Sequence, residues 1–159
     1  MSTDTLQLEL AKRSDVAAMS VLSRDEIEHG LRWRYTPQRL VHVIRHPAKN
    51  AVVARRDRVL VGFGVMTYRR NQANLDLLAV APEHRRHRVG SELVRWLENV
   101  ADTAGCYNVF VQLRSQNARA KAFYRALGYH VLGRVPRYYQ GVEDATVMAK
   151  SLRPMVGGA

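Results

Sequence analysis

The 159-residue sequence has a single cysteine, Cys106, which excludes an internal disulfide framework and any metal site built from clustered thiolates. It also lacks an apolar run of the roughly 18 residues that a membrane-spanning helix needs. Its first residues, MSTDTLQLELAKR, do not show a basic head followed by an apolar run, so we expect no secretory signal. These absences favour a reducing, cytoplasmic setting and no membrane association.

Lysine is also scarce, because only four of the 25 basic residues are lysines and the others are arginines. With 14 acidic residues the net charge is +11. The excess is concentrated in residues 29–88, which hold thirteen basic and three acidic side chains. Such a field attracts polyanions, which leaves open an acidic partner, a phosphorylated cofactor or nucleic acid. A purely solubilising role for the arginines is the alternative.

The apolar fraction of 47% and the length predict one folded domain over residues 1–159, with a core at 5–152 and a frayed tail at 153–159. Hydrophobic periodicity predicts strands at 5–10, 50–55, 59–68, 74–80, 107–113, 129–135 and 145–152. Predicted helices, with their caps and stops, are 15–29 (Ser14, Gly30), 37–46 (Thr36, Pro47), 89–104 (Gly105) and 118–127 (Asn117, Gly128). The order β-α-α-β-β-β-α-β-α-β-β predicts an α/β (α+β) fold with a mixed sheet rather than a doubly wound parallel one.

A basic turn joins a predicted strand to a predicted helix in the segment LDLLAVAPEHRRHRVGSEL, residues 75–93. A helix start exposes unpaired N–H groups and the positive end of the helix dipole, which suits a phosphate. Gly90 permits close approach of a ligand, and Ser91 adds a hydroxyl. The turn therefore predicts an anion site, and a solvated basic loop that caps the helix is the alternative.

The stretch from Val80 to Gly90 resembles the acetyl-CoA-binding motif of the GNAT N-acetyltransferase superfamily: Gln or Arg, two residues, Gly, one residue, then Gly or Ala. Arg85 matches the first position and Gly90 the last, whereas Arg88 stands where the first glycine is expected. An arginine there can donate its backbone N–H if its dihedral angles are ordinary. The resemblance implies acetyl-CoA as acetyl donor and a mostly antiparallel sheet of about six to seven strands flanked by about four helices. The implied cofactor contacts are Leu78, Ala79, Val80, Arg85, Arg86, His87, Arg88, Val89, Gly90, Ser91 and Asn117.

A second stretch, NARAKAFYRALGY at residues 117–129, resembles the other cofactor motif of that superfamily, N-x-x-A-x-x-x-Y-x-x-x-G-[FY], at every specified position. Attack of an amine on a thioester expels a thiolate, and a nearby phenol can donate a proton to it. The resemblance gives this role to Tyr124. A tyrosine that only packs in the core is the alternative, and Asn117 can equally be a helix cap.

The C-terminal stretch RYYQGVEDATVMAKSL, from Arg137, resembles the end of RimI-like protein N-terminal acetyltransferases. In those enzymes the tyrosine-bearing hairpin lines the acceptor groove. They usually carry a glutamate in the strand before the second motif, where this chain has Gln112, which cannot act as a base. Asp76 is the remaining carboxylate candidate, with an ordinary salt bridge or a water-mediated deprotonation as alternatives. The expected acceptor-lining aromatics are Trp33, Tyr35, Tyr68, Tyr138 and Tyr139.

These features favour direct acetyl transfer to a primary amine, on a protein N-terminus or a small molecule, in a ternary complex. Cys106 has no adjacent base that would suggest an acetyl-enzyme, and the His and acidic residues lack metal-ligand spacing. The alternatives are a basic nucleic-acid-binding module on a degenerate acetyltransferase scaffold, or transfer to an RNA-linked amine. The oligomeric state stays open between a monomer and a homodimer.

Overall fold

The structure is a computed structural model that describes residues 5–85 and 88–153. Its strands and helices follow the predicted order. The strands are β1 (Gln7–Leu10), β2 (Lys49–Arg56), β3 (Val59–Arg69), β4 (Gln72–Val80), β5 (Asn108–Arg114), β6 (His130–Tyr139) and β7 (Glu143–Ser151). The helices are α1 (Val16–Glu26), α2 (Pro37–Arg45), α3 (Val89–Thr103) and α4 (Ala118–Ala126). None of the helices in the described ranges is long and apolar enough to cross a membrane.

The seven strands are hydrogen-bonded in the order β1-β2-β3-β4-β5-β7-β6. The registered pairs of β1 with β2, β2 with β3, β5 with β7 and β6 with β7 are antiparallel, and β4 runs parallel to β5. The parallel pairing runs from Gln72–Asn108 to Leu75–Val111. The predicted mixed, mostly antiparallel sheet with four helices is therefore confirmed.

The described residues form two compact units. One comprises the stretch up to Thr67 together with Asp76–Leu97, and the other comprises Tyr68–Leu75 and the stretch from Glu98 onward. Both β4 and α3 contribute residues to each unit. That the whole chain acts as one domain stays a prediction.

In the first unit, strand β3 has a different kind of partner on each face. Phe63 and Val65 belong to a buried apolar cluster with residues of α1 and α2, including Met19 and Leu40. The intervening glycines lie under α3: a Cβ on Gly62 would be only 3.0 Å from a side-chain carbon of Val89, at the start of that helix. Alternation along the strand thus sets α1 and α2 on one face and α3 on the other.

The two early helices begin differently. Thr36 caps α2 as predicted, because its Oγ1 accepts the backbone N–H of Arg39 at 3.3 Å. The predicted Ser14 cap of α1 is wrong. A short 3₁₀ turn precedes α1, and the Asp15 carboxylate accepts the Lys12 backbone N–H at 2.9 Å. The helix also ends at Glu26, four residues before Gly30, which nevertheless adopts the expected positive φ of 79°.

In the second unit, a largely buried polar network connects α3 with β7 and with the segment between α4 and β6. The Glu98 carboxylate accepts the Tyr129 hydroxyl at 2.7 Å and the Lys150 ammonium at 3.1 Å. Strand β6 lies at the edge of the sheet, and nine of its ten residues are exposed. Its register against β7 shifts twice, between Val131 and Gly133 and between Val135 and Tyr139.

Candidate functional site

The second half of strand β4 lies beyond the last registered pair with β5, since that pairing ends at Leu75 and β4 continues to Val80. Leu78 and Val80 are half-buried, whereas Ala79 between them is buried in the apolar cluster. The predicted strand segment is therefore placed as expected, with one face in the core and the other partly accessible.

The basic turn leads from β4 into α3. The carbonyl of Arg88 accepts the Glu92 N–H at 3.0 Å and the Ser91 hydroxyl at 3.1 Å, so the first helical bond starts there. Val89 and Gly90 are buried, with Val89 next to Gly62 of β3, and Ser91 is half-buried. Arg86 and His87, two of the predicted cofactor contacts, lie outside the described residues.

Two arginines of the turn have features that the sequence motif alone does not predict. Arg85 forms a short salt bridge with Glu26 at the end of α1, so its guanidinium is held against that helix. Arg88 has φ of 62°, in the left-handed region that favours glycine. Arg88 therefore does not have the ordinary dihedral angles that the sequence analysis required of an arginine at this position. Glycine adopts such a positive φ without steric cost, which explains why the motif has a glycine here.

The candidate base Asp76 lies in a polar cluster with Lys49 and Thr67. The Lys49 ammonium donates to Asp76 Oδ2 at 3.0 Å and to Thr67 Oγ1 at 2.6 Å, and the Thr67 hydroxyl makes a short bond to the same Oδ2. The Asp76 carboxyl side chain is 21% exposed. A lysine 27 residues away in sequence is thus an ionic partner of Asp76.

Charged side chains of both signs act on the Tyr35 phenol. Burial raises the pKa of the Tyr35 phenol; Arg39 and Arg34 partly offset this, whereas Asp76 raises it. The Arg39 guanidinium lies 4.5 Å from the centre of the Tyr35 ring. Trp33 is 40% exposed and lies beside the Arg24 guanidinium, 5.7 Å from the ring centre.

Tyr124, the candidate proton donor, is buried on α4 within a group of aromatic rings. Its ring makes edge contacts with Phe123 at 5.0 Å and with Tyr129 at 5.4 Å. Burial raises the pKa of the Tyr124 phenol far above its ordinary value, and the neighbouring Tyr139 raises it further. The phenol therefore stays protonated through the neutral and mildly alkaline range.

The predicted tyrosine pair lies at the end of β6. The rings of Tyr138 and Tyr139 are 5.0 Å apart, with Tyr138 exposed and Tyr139 half-buried. Burial also raises the pKa of Tyr139, and the Arg114–Glu143 ion pair lies close enough to act on it. Tyr139 lies close enough to Tyr124 to raise the pKa of the Tyr124 phenol.

Two further predicted residues, Asn117 and Tyr68, and the single cysteine have clear positions. Asn117 caps α4, since its Oδ1 accepts the Ala120 N–H at 3.0 Å. Tyr68 is half-buried near the end of β3. The thiol of Cys106 is buried, and burial raises its pKa, which disfavours the nucleophilic thiolate. Among residues 5–85 and 88–153, no group of three or more His, Cys, Asp or Glu side chains is arranged to hold a metal ion.

A family model described as the acetyltransferase (GNAT) family matches residues 16–129, which is more than half of the chain. The chain belongs to the GNAT acetyltransferase family. The matched range includes both motifs, from the end of β4 through Tyr129.

Two curated relatives share this family resemblance over part of their length. The catalytic subunit of the N-terminal acetyltransferase B complex of Arabidopsis thaliana is 38% identical over 76 residues, covering 47% of this chain and 44% of that protein. The [ribosomal protein bS18]-alanine N-acetyltransferase of Salmonella typhimurium is 31% identical over 93 residues, covering 57% and 63%. The chain thus spans less than two thirds of the length of these relatives.

A solved structure extends the likeness in fold to almost the whole chain. The crystal structure of the ribosomal-protein-S18-alanine N-acetyltransferase from Escherichia coli matches with a TM-score of 0.81 at 20% identity, over 98% of this chain and 99% of that one. At this identity the match shows the GNAT fold and no more.

Several residues with polar roles were missed from the sequence. Lys49 and Thr67 surround Asp76, although no local motif marks them. The side chains of Asn74 and Gln112 pair across β4 and β5, donating to each other at 3.1 and 2.9 Å. The parallel alignment of two predicted strands is the only signal that could have suggested this last pair.

Proposed function

We propose that this GNAT family member is an acetyl-CoA-dependent N-acetyltransferase that acts on a primary amine in a ternary complex. The observation that carries the proposal is the second half of β4, which lies beyond the registered pairing with β5 and leads directly into the start of α3. A strand segment that lies beyond the pairing on one of its sides can bond an extended ligand there as an added strand. A helix start binds a phosphate.

The residues present fit acetyl-CoA. We assign the pantetheine arm to the backbone of Leu78, Ala79 and Val80, which include the half-buried face of β4. We assign the pyrophosphate to the N–H groups at the start of α3, because those before Glu92 precede the first helical bond. GNAT enzymes use acetyl-CoA as the acetyl donor. It supplies a thioester whose thiol leaves when the amine attacks.

On the leaving-group side, Tyr124 is assigned the proton transfer. Its buried phenol holds its proton at working pH, because burial raises its pKa. A neutral phenol next to a developing thiolate can donate that proton as charge appears. Its aromatic neighbours Phe123 and Tyr129 fix the orientation of the ring.

On the acceptor side, Asp76 is assigned to receive the proton of the attacking amine. A carboxylate offers about four acceptor positions, so it can hold Lys49 and Thr67 and also bind an ammonium group. The contacts with Lys49 and Thr67 hold the Asp76 carboxyl in one position, from which it can bind and orient the amine. The acceptor is either a protein N-terminus or a small-molecule amine.

Release of free thiol tests the function directly. Acetyl-CoA is incubated with peptides and small amines side by side, and its binding is measured by isothermal titration, where we expect a dissociation constant in the micromolar range. Absence of acetyl-CoA binding together with salt-dependent RNA binding would instead favour a nucleic-acid-binding module.

Replacement of Tyr124 by phenylalanine tests the proton donor. We expect Tyr124→Phe to lower kcat by about 100-fold or more, in line with general acid catalysis, with little change in the KM for acetyl-CoA. Tyr107→Phe is the matched control, because Tyr107 is 41% exposed and packs under Arg153. An unchanged kcat in Tyr124→Phe, in a chemistry-limited assay, would refute the role.

A further inference from the structure

The end of α1 is joined to the basic turn by the ion pair of Glu26 and Arg85. Glu26 is the last residue of α1, and Arg85 directly follows the 3₁₀ turn Pro82–His84 that comes after β4. The side chains of Glu26 and Arg85 are 17% and 27% exposed, so the pair is partly shielded from water. Shielding strengthens the attraction between opposite charges relative to a pair on the open surface. The Arg85 guanidinium is therefore engaged by a carboxylate of the protein itself.

The position of Glu26 is fixed by the end of its helix. The backbone N–H groups of Ile27 and Glu28 both donate to the Ser23 carbonyl, at 2.9 and 2.8 Å. Glu28 is buried, and its carboxylate accepts the Ser23 hydroxyl at 2.9 Å. A buried polar group is costly to separate from its partner, so the helix end keeps one arrangement. Glu26 is thus held in place for its partner in the turn.

The space between α1 and the turn beside this pair is an open groove. Helix α1 lines one side of it with residues that include Val21, Asp25 and Glu26, and residues 81–83 line the other. Because this part of the turn is not closely packed against the helix, Arg85 can leave Glu26 without displacing core side chains. The ion pair is therefore a contact that a change of charge can remove while the fold is kept.

Arg85 lies in the turn that leads to the proposed phosphate site. The Arg88 carbonyl accepts the first helical bond of α3, and the N–H groups that follow Arg88 are those assigned to the pyrophosphate. The Cα atoms of Arg85 and Arg88 are at most about 11 Å apart, so an extended arginine side chain can approach a phosphate there. A guanidinium binds phosphate and carboxylate by the same paired hydrogen bonds. The Glu26 carboxylate consequently competes with a phosphate for the Arg85 donors.

We propose that Glu26 keeps Arg85 from binding the cofactor phosphates and thereby limits how tightly the protein holds acetyl-CoA and CoA. The inference rests on the proposed function, because it takes the start of α3 as the pyrophosphate site. The phosphates do not react, so a contact with them is equally strong before and after acetyl transfer. Such a contact lowers KM without raising kcat, and it slows release of the CoA product. While Glu26 holds Arg85, phosphate binding is left to the backbone N–H groups and CoA leaves more readily.

Isothermal titration of acetyl-CoA into four proteins tests the role of the pair: the wild type, Glu26→Gln, Arg85→Gln and the double variant. Glu26→Gln should bind acetyl-CoA about tenfold more tightly, because the released guanidinium adds one charge-assisted contact with a phosphate. Arg85→Gln should leave the dissociation constant close to that of the wild type, because Arg85 does not contact the phosphates while Glu26 is present. The double variant should match Arg85→Gln, because the gain requires the guanidinium.

A matched control separates this contact from a general change in charge. Glu83→Gln makes the same substitution two residues before Arg85. Glu83 is exposed, and within residues 5–85 and 88–153 it forms no salt bridge. Glu83→Gln should therefore change the acetyl-CoA affinity much less than Glu26→Gln does.

Two further measurements respond to a phosphate contact and not to a merely structural role of the pair. CoA carries the same phosphates as acetyl-CoA, so its inhibition constant in the thiol-release assay should fall by the same factor in Glu26→Gln, without a gain in kcat. The difference in affinity between Glu26→Gln and the wild type should also shrink as salt is raised, because salt screens partly exposed charges.

Each outcome decides the proposal. It is overturned if Glu26→Gln binds acetyl-CoA no more tightly than the wild type, or if Arg85→Gln binds it much more weakly, because Arg85 would then already contact the phosphates. A gain that persists in the double variant, or that Glu83→Gln reproduces, would assign the effect to net charge and overturn it as well. Should a thermal melt show that Glu26→Gln does not fold, the affinity of Arg85→Gln still decides. If the wild type neither binds acetyl-CoA nor acetylates any amine, the proposed function itself fails.

Discussion

Replacement of Arg88 by glycine should stabilise the protein, although it removes a charged side chain. Arg88 holds φ of 62° directly before α3, while its carbonyl accepts the first helical bond. The left-handed conformation costs an L-residue about 1–2 kcal/mol relative to the ordinary one. Glycine adopts it without that cost but loses about 0.5–1 kcal/mol more backbone entropy on folding. The difference is a gain of about 0 to 1.5 kcal/mol, with a midpoint of about 0.75 kcal/mol.

A thermal melt can detect a change of this size. For a chain of this length, 1 kcal/mol corresponds to about 2–4 °C in Tm. We therefore expect Arg88→Gly to melt about 1–4 °C higher than the wild type. Arg88→Ala separates charge from backbone, because it removes the guanidinium and keeps the strained Cβ, and it should give no gain.

A second left-handed arginine provides a matched control. Arg58 has φ of 68° in the β2–β3 hairpin turn, away from the proposed cofactor contacts. Arg58→Gly should raise Tm by a similar amount, while only Arg88→Gly should alter acetyl-CoA affinity in isothermal titration. A lower Tm for Arg88→Gly than for Arg88→Ala would refute the reasoning about the backbone.

Two further predictions concern packing and burial. Gly62→Ala should lower the free energy of unfolding, measured in urea, by about 1–3 kcal/mol, because its Cβ would lie 3.0 Å from a backbone carbonyl oxygen of β4. Gly133→Ala is the control and should leave that free energy almost unchanged, because a Cβ there would have nothing within 4 Å. Glu98→Gln should lower the free energy of unfolding by about 1–3 kcal/mol, because it leaves the Lys150 ammonium without its carboxylate partner. Adding Lys150→Met should recover part of that loss. If the losses of the two single variants simply add in the double variant, the pair is not coupled.

Local signals were sufficient to predict most of the fold. Thr36 and Pro37 set the start of α2, and Gly105 and Gly128 adopt the positive φ that their predicted roles as helix stops require. The element order follows from such signals together with hydrophobic periodicity. The start of α1 was missed because the helix is preceded by a 3₁₀ turn organised by Asp15, and a serine in the same stretch has equal capping propensity.

The site was predictable only where its residues belong to one continuous motif. The position of Tyr124 on α4 follows from the 117–129 pattern, although its role stays a prediction. The partners of Asp76 could not be found in this way, because Lys49 and Thr67 reach it through the register of separate strands. Glu28 was missed for a similar reason. Its carboxylate accepts the backbone N–H groups of Arg34 and Tyr35, in the loop between α1 and α2, and no residue type in that loop predicts this contact.

The exposed outer strand β6 has a consequence for how the protein behaves at high concentration. An edge strand with unpaired backbone groups can act as a template for another molecule, and sheets then grow without limit. Here the register shifts interrupt the ladder, Pro136 has no N–H to donate, and Arg137 adds an exposed positive charge to the strand. These features disfavour the addition of an identical strand, so Pro136 and Arg137 are the positions to leave unchanged when the protein is engineered for concentrated solution.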